Sequence, residues 1–231
     1  METKSFLSFG EQIYQTLKER ILSNVYVPGT MLQIEKLADE MGVSSTPIRE
    51  TLFKLASVGL VNIVRNKGAI VSEIDEKTAK DVWQFRSLLE AFVAREAVPH
   101  IEAKSVRELK KKIESHLREP SDFELYREID RDLHLLFCDN AENDLVKDTL
   151  RNLLDQSRRL RYFAESFPMV DDILIEISKE HMSVVDALSG GDVETVVRAL
   201  TAHLAHGEER TLRALAKHQN DSGAKKTKKK S

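Results

Sequence analysis

The short segment 42–47 restricts the fold of this chain more than any other stretch. It reads Gly-Val-Ser-Ser-Thr-Pro and lies between two amphipathic runs, 33–41 and 47–58. Gly42 predicts the end of the first helix. Thr46 can cap the second helix, and Pro47 suits its first turn, where a backbone N–H is not needed. The sequence therefore predicts two short helices joined by a tight turn.

The flanking segments extend this pattern into a larger motif. Ahead of it, Ile13, Leu17 and Ile21 recur every four residues and predict an amphipathic helix over 7–24. After it, the β-prone runs 60–64 and 69–72 are separated by Arg-Asn-Lys-Gly, which suits a hairpin turn. The order of helix, helix, turn, helix and hairpin is typical of a winged helix-turn-helix.

From about residue 75 the apolar pattern becomes purely helical. Repeated apolar residues at helical spacing favour an antiparallel bundle, so the predicted fold class is mainly α, with a winged helix-turn-helix followed by an all-α bundle. The predicted helices cover 76–99, 102–117, 121–140, 142–165, 168–189 and 192–217. The predicted domains are 1–74 for the winged domain, 75–216 for the helical domain and 217–231 for a disordered tail.

Composition excludes several classes of protein. The chain has 231 residues and a net charge of −3. The tail, residues 217–231, holds six lysines and one aspartate. This basic tail can attract phosphates, or it can simply remain solvated. A single cysteine excludes an internal disulfide framework. No apolar run approaches the ~18 residues of a membrane span, and the N-terminus does not resemble a signal peptide. We therefore expect a cytoplasmic protein without a membrane partner.

The start of the second helix of the motif is the candidate surface for DNA. In a helix-turn-helix this helix enters the major groove and uses residues near its N-terminus. The polar residues there are Ser44, Ser45, Thr46 and Arg49, and the hairpin tip adds Arg65 and Lys67. An arginine can bind guanine or phosphate with two N–H groups. The alternative is that the hydroxyls only cap the helix and that Arg49 pairs with a surface carboxylate.

A possible metal site lies in the helical part of the chain. Asp130 and His134 are four residues apart and share one helix face, and His181 and His203 follow on two further helices. Carboxylate and neutral imidazole suit Zn, Ni, Mn or Fe. Each histidine alone would more often be a surface or hydrogen-bonded residue, so the spacing by itself is a weak signal.

The first third of the chain resembles the DNA-binding domain of GntR-type bacterial transcription regulators. The resemblance rests on Pro28-Gly29, Leu37-Ala38, Gly42-Val43-Ser44, Thr46-Pro47-Ile48-Arg49-Glu50, Gly59-Leu60-Val61 and Gly68. It implies that Arg49 contacts operator DNA and that Gly68 lies in the wing. This chain has Ser45 where the family usually has arginine, which removes one expected contact with DNA.

Residues 77–215 resemble the C-terminal domain of the FadR subfamily of these regulators. The matching motifs are Phe85-Arg86-Ser87-Leu88-Leu89-Glu90, Asp130-x3-His134, Glu180-His181, Gly191-Asp192 and His203-Leu204. The resemblance implies that Asp130, His134, His181 and His203 bind a divalent metal whose coordination is completed by a small carboxylate. It also implies that Arg86 faces the pocket and binds that carboxylate. Arg161 is a second candidate on a neighbouring helix.

These observations predict a regulator that binds a palindromic operator as a homodimer and responds to a small organic acid. An enzyme is not expected, because no HExxH motif, Gly-rich phosphate loop or nucleophile elbow is present. The alternatives are a direct sensor of the divalent metal, a metal that is only structural, and a metal-dependent hydrolase.

Overall fold

The computed structural model describes residues 8–165 and 171–228, which form two compact units. The first unit ends at Asp75 and also includes Arg158–Phe163, a segment that the sequence assigned to the helical domain. The second unit comprises the remainder. The first seven residues of the predicted domain 1–74, the start of the predicted helix 168–189 and the last three residues of the predicted tail lie outside the described residues.

Unit 1 combines three helices with a small antiparallel sheet. In chain order the elements are α1 (Phe9–Leu22), β1 (Met31–Gln33), α2 (Ile34–Met41), α3 (Ser45–Ser57), β2 (Val61–Val64) and β3 (Gly68–Val71). The sheet order is β1-β3-β2, with Leu32 opposite Ala69 and Val61 opposite Val71. The winged helix-turn-helix predicted from the sequence is confirmed.

One apolar core holds these elements together. The residues spaced by four on α1 are buried, and they pack with Leu52 and Leu55 from α3 and with Val71 from β3. Removing this apolar surface from water is the main favourable term for such a small domain. It also fixes α3, because one face of that helix is in the core and the opposite face is left exposed.

Two details of unit 1 differ from the sequence prediction. Strand β1 was not predicted, since three residues are too few to show an alternating pattern. Helix α3 begins at Ser45 rather than after Thr46, with Ser44 at the N-cap position, and the Ser44 side chain makes no capping hydrogen bond. Ser44 is exposed, so its hydroxyl is available to a ligand.

The described part of unit 2 contains six helices and no strand. They are α4 (Glu76–Ala97), α5 (Ala103–Arg118), α6 (Phe123–Asn140), α7 (Asp144–Glu165), α8 (Asp171–Gly190) and α9 (Val193–Lys228), and a short 3-10 turn, Val98–His100, follows α4. The predicted helical bundle is confirmed. None of the described helices has the length and apolar composition needed to span a membrane.

Helix α9 is longer than predicted and includes residues 217–228, which the sequence analysis assigned to a disordered tail. No proline follows Pro168, so no residue of this segment lacks the backbone N–H that a helix needs. The prediction of a tail relied on the lack of apolar residues to bury.

Candidate metal centre and nucleic-acid interface

Three helices of unit 2 bring Asp130, His134, His181 and His203 together in the interior. Helix α6 supplies the first two, α8 supplies His181 and α9 supplies His203. All four are buried, and one potential ligand atom from each lies within 4.8 Å of the others. The Oδ1 atom of Asp130 is 3.9 Å from Nε2 of His134 and 3.7 Å from Nε2 of His181. The sequence-predicted metal ligands therefore form one cluster.

Several nitrogen atoms of this cluster are buried without a hydrogen-bond partner. They are Nε2 of His134 and both ring nitrogens of His181. Distances of 3.7–3.9 Å to Asp130 are too long for hydrogen bonds. Buried polar atoms normally find a partner, and imidazole nitrogen with carboxylate oxygen is a donor set that divalent transition metals accept. The residues present fit a divalent metal ion.

Glu90 on α4 orients His134 from outside the cluster. Its Oε2 atom is 2.6 Å from Nδ1 of His134, and its other oxygen accepts a hydrogen bond from Nε of Arg86. Burial raises the pKa of Glu90, but the nearby Arg86 and His134 more than reverse this and hold it at about 2. Glu90 is therefore an anion that accepts a hydrogen bond from Nδ1–H and leaves Nε2 of His134 free to bind a metal.

Glu180 on α8 orients the ring of His203 in the same way that Glu90 orients His134. Its Oε2 atom is 2.9 Å from Nδ1 of His203, and its oxygens also accept from His206 at 2.9 Å and from both terminal nitrogens of Arg210 at 2.7 and 2.8 Å. Burial raises the pKa of Glu180, whereas Arg210 and His203 lower it more strongly. Glu180 is thus a fixed anion behind His203.

Burial also keeps the two oriented imidazoles neutral. It lowers the pKa of His203 to about 3 and lowers the pKa of His134, where the Arg86 charge acts in the same direction. A metal ligand must present an unprotonated nitrogen, so a neutral imidazole at pH 7 is ready for coordination without first losing a proton.

Arg86 is buried next to the cluster and has one unused donor. Its Nε atom pairs with Glu90, its Nη1 atom donates to Oγ of Ser157 at 2.9 Å, and its guanidinium lies 5.0 Å from the centre of the Trp83 ring. The Nη2 atom is buried without a partner. Arg161 lies on α7 within the segment that clusters with unit 1, so its role toward an effector stays a prediction.

Sequence reasoning missed Glu90, Glu180 and Ser157. Glu90 had a detectable signal, because it stands four residues after Arg86 and such pairs meet on a helix face. Glu180 belongs to the Glu180-His181 motif, but its position behind His203 was not predicted. Adjacent residues do point in different directions, and this directs Glu180 toward His203. Ser157 gave no signal.

The predicted DNA-contacting residues of α3 lie at its exposed N-terminal edge. Ser44, Thr46 and Arg49 are exposed and Ser45 is half-buried. The N-terminus of a helix also offers free N–H groups and a positive dipole to a phosphate. The neighbouring Ile48 and Leu52 are buried, and they fix the helix orientation that leaves Arg49 in solvent.

The hairpin between β2 and β3 presents Arg65 and Lys67 to solvent. Asn66 has a positive φ of 59° at the turn. Gly68 is buried at the start of β3 with φ 137°, and a Cβ there would lie 1.9 Å from the carbonyl oxygen of Leu32. Gly68 therefore shapes the wing by close backbone contact, while the two cations are the parts that can reach a phosphate.

Two family models match the chain. The model for bacterial regulatory proteins of the gntR family matches residues 9–71, and the FCD domain model matches residues 81–206, which is more than half of the chain. The first match covers unit 1 with its exposed α3, and the second covers the helices that carry the buried cluster.

Known proteins similar over most of the chain are transcription regulators. The HTH-type transcriptional repressor RspR of Escherichia coli K12 is 28% identical over 213 residues, which cover 91% of this chain and 92% of RspR. The structure of E. coli McbR/YncC covers 93% of this chain and 100% of its own, with a TM-score of 0.76 and 20% identity. The Zn²⁺-bound FCD domain of TM0439 covers 62% of this chain and 98% of its own, with a TM-score of 0.52 and 21% identity.

Proposed function

Because the chain belongs to the gntR family of bacterial regulatory proteins and carries an FCD domain, it is a DNA-binding transcription regulator, and we propose that a small carboxylate controls its operator affinity. The observation that carries the proposal is the buried cluster of Asp130, His134, His181 and His203, with the unused Nη2 donor of Arg86 in the same unit. The carboxylate would bind at the metal site in the helical unit.

DNA binding is assigned to the exposed edge of α3 and to the wing. Ser44, Ser45, Thr46 and Arg49 would enter the major groove, and the tip residues Arg65 and Lys67 would follow the phosphate backbone. Two copies are needed for a palindromic operator, whose half-sites lie about 34 Å apart along the duplex. The regulator would act in the cytoplasm, where the chromosomal DNA lies.

The four clustered side chains would hold one divalent ion, and zinc, nickel, manganese and iron all suit these donors. When bound, the ion supplies a Lewis-acidic centre that can accept a carboxylate oxygen. The anions of Glu90 and Glu180 hold the protons of His134 and His203 on Nδ1, which leaves Nε2 of each ring as the coordinating nitrogen. The Zn²⁺-bound FCD domain of TM0439, which shares the fold of this unit, supports the choice of a divalent metal.

Arg86 is the best candidate to bind the effector. A guanidinium binds carboxylate strongly because its N–H groups match the carboxylate oxygens. Two of its donors are used by Glu90 and Ser157, so one buried donor, Nη2, is left for a ligand. Arg161 is proposed as a second, weaker contact.

A direct metal sensor is the second candidate, and one observation favours it. The cluster provides four protein ligands, and four ligands complete the tetrahedral shell of a structural zinc site without an open position. In that case the ion itself would be the signal. Measuring DNA affinity with and without a chelator, at a fixed concentration of organic acid, separates the two candidates.

The DNA-binding assignment is tested with an operator selected from a pool of random duplexes. We expect Arg49→Ala to weaken operator binding about 10- to 100-fold, the effect of losing one bidentate base contact. Arg213→Ala, at an exposed position of α9, should leave binding unchanged. Fluorescence anisotropy measures both, and circular dichroism checks the folding. Equal operator affinities of the Arg49 variant and the parent would contradict the assignment.

A further inference from the structure

The single tryptophan of the chain, Trp83 on α4, carries an N–H group that is buried without a hydrogen-bond partner. The residue is only 2% exposed. An indole N–H can donate but not accept, and a buried one ordinarily finds an acceptor. The described residues supply none for Nε1 of Trp83, so this donor is left for a group outside the chain.

Packing fixes the position of the indole ring. Its six-membered ring faces Gly207 on α9, where a Cβ would come within 2.7 Å of the Cη2 atom. The guanidinium of Arg86 lies over the ring, 5.0 Å from its centre, and a cation in this position is attracted to the aromatic face. Turning the indole N–H toward a different acceptor would disturb both contacts.

Arg86 brings a second unpartnered donor to the same place. It follows Trp83 by three residues on α4, so the two side chains are neighbours on one helix face. Nη2 of Arg86 is buried without a partner, whereas Nε and Nη1 donate to Glu90 and Ser157. Glu90 also bonds Nδ1 of His134, which connects this place with the buried cluster. Two free donors without a free acceptor suit a ligand that carries acceptor oxygens.

We propose that Trp83 determines the specificity of the effector site by donating its indole N–H to a second acceptor oxygen of the effector. The carboxylate would bind at the metal site and at Nη2 of Arg86. Because Arg86 and Trp83 stack, the second acceptor oxygen lies close to the carboxylate, on the carbon next to it. The inference rests on the proposed carboxylate effector and narrows its chemical class to acids with such an oxygen.

The first test uses methoxyacetate and butanoate, two acids of equal length that differ by an ether oxygen in place of a methylene group. The ether oxygen only accepts, so it matches an indole donor. Trp83→Phe keeps an aromatic ring but removes the N–H. We expect this variant to lower the preference for methoxyacetate over butanoate about 10-fold relative to the parent, the effect of one hydrogen bond.

Isothermal titration calorimetry on the Zn²⁺-loaded proteins measures both acids, and thermal unfolding checks that the variants fold. Tyr26→Phe is the control, because it removes a polar atom from an aromatic ring of unit 1 that bonds Arg20. It should leave the preference of the parent unchanged.

The second test needs no variant. A ¹⁵N-labelled chain with one tryptophan gives one indole N–H resonance. Saturating methoxyacetate should move the proton of this resonance downfield, because a new hydrogen bond deshields it, and butanoate should not.

An indole resonance that stays in place, or a Trp83→Phe variant with the preference of the parent, would overturn the role of Trp83 and leave the carboxylate effector standing. A parent that binds other carboxylates but not methoxyacetate would overturn it as well. Failure of every carboxylate to stabilise the parent would instead overturn the proposed function.

Discussion

At the scale of single residues, the proposed metal site depends on two anions outside the proposed ligand set. Glu180 accepts hydrogen bonds from His203, His206 and Arg210, and Glu90 accepts from His134 and Arg86. A carboxylate behind a histidine fixes which nitrogen carries the proton and how the ring is oriented. Both anions therefore belong to the site as much as the four clustered residues do.

We expect Glu180→Gln to weaken Zn²⁺ binding about 10- to 100-fold, the usual cost of losing such a partner. Glutamine keeps the size of the side chain but removes the charge that holds the His203 tautomer. Isothermal titration calorimetry with Zn²⁺ measures the change. Glu176→Gln is the matched control, because Glu176 lies one turn earlier on α8 with a side chain that is 64% exposed. Equal Zn²⁺ affinities of the Glu180 and Glu176 variants would refute this role.

Cys138 should be unreactive in the folded protein. Its side chain is buried, its Sγ atom lies 3.6 Å from the carbonyl oxygen of Lys147, and burial raises the pKa of the thiol to about 11. Only the thiolate reacts with disulfide reagents, so at pH 8 labelling should be slow until the chain unfolds. Absorbance after addition of Ellman's reagent, with and without guanidinium, measures this. Rapid stoichiometric labelling of the native protein would be the opposite result.

At the scale of helices and strands, the packing of α4 on α9 depends on one glycine. A Cβ atom at Gly207 would lie 2.7 Å from the Trp83 ring, which is itself buried. The small residue on α9 therefore makes room for the largest side chain on α4. Because α4 also carries Arg86 and Glu90, and α9 carries His203, this contact supports the proposed metal site.

Gly207→Ala should lower the free energy of unfolding by about 1–3 kcal/mol, the usual cost of overpacking. Gly190→Ala is the control, since no atom lies within 4 Å of a Cβ at that helical position. It should be neutral or slightly stabilising, because alanine is the better helix former. Urea denaturation measures both variants. Equal stability of the Gly207 variant and the parent would mean that the ring moves aside freely.

The elements that the sequence predicted well are those with a repeated physical signal. Ile13, Leu17 and Ile21 recur every four residues, and all three are buried on α1. Strand β1 has three residues and no period to detect. The extension of α9 was missed because the sequence prediction used apolar spacing, which ends before residue 217.

The four proposed metal ligands were predicted mainly from the resemblance to the FadR C-terminal domain. Their spacing along the sequence was a weaker guide. Only Asp130 and His134 share a helix, and the approach of His181 and His203 depends on how α8 and α9 pack, which no local pattern records. The hydrogen bond between Ser157 and Arg86 joins residues 71 positions apart. It depends on the tertiary structure, so it could be recognised only in three dimensions.

At the scale of the whole molecule, the proposed carboxylate site in unit 2 and the proposed DNA-contacting surface in unit 1 must share free energy. If the carboxylate changes operator affinity by some factor, DNA must change carboxylate affinity by the same factor. A thermal-shift screen of small carboxylates identifies the ligand, because a compound that binds only the folded chain raises its apparent stability.

Operator affinity is then measured by anisotropy across a titration of that carboxylate, on the Zn²⁺-loaded parent and on His134→Ala. We expect a change of about 5- to 150-fold in the parent, corresponding to a typical coupling of about 1–3 kcal/mol, and little change in the His134 variant. A parent whose operator affinity stays constant up to carboxylate concentrations that saturate the thermal shift would contradict it.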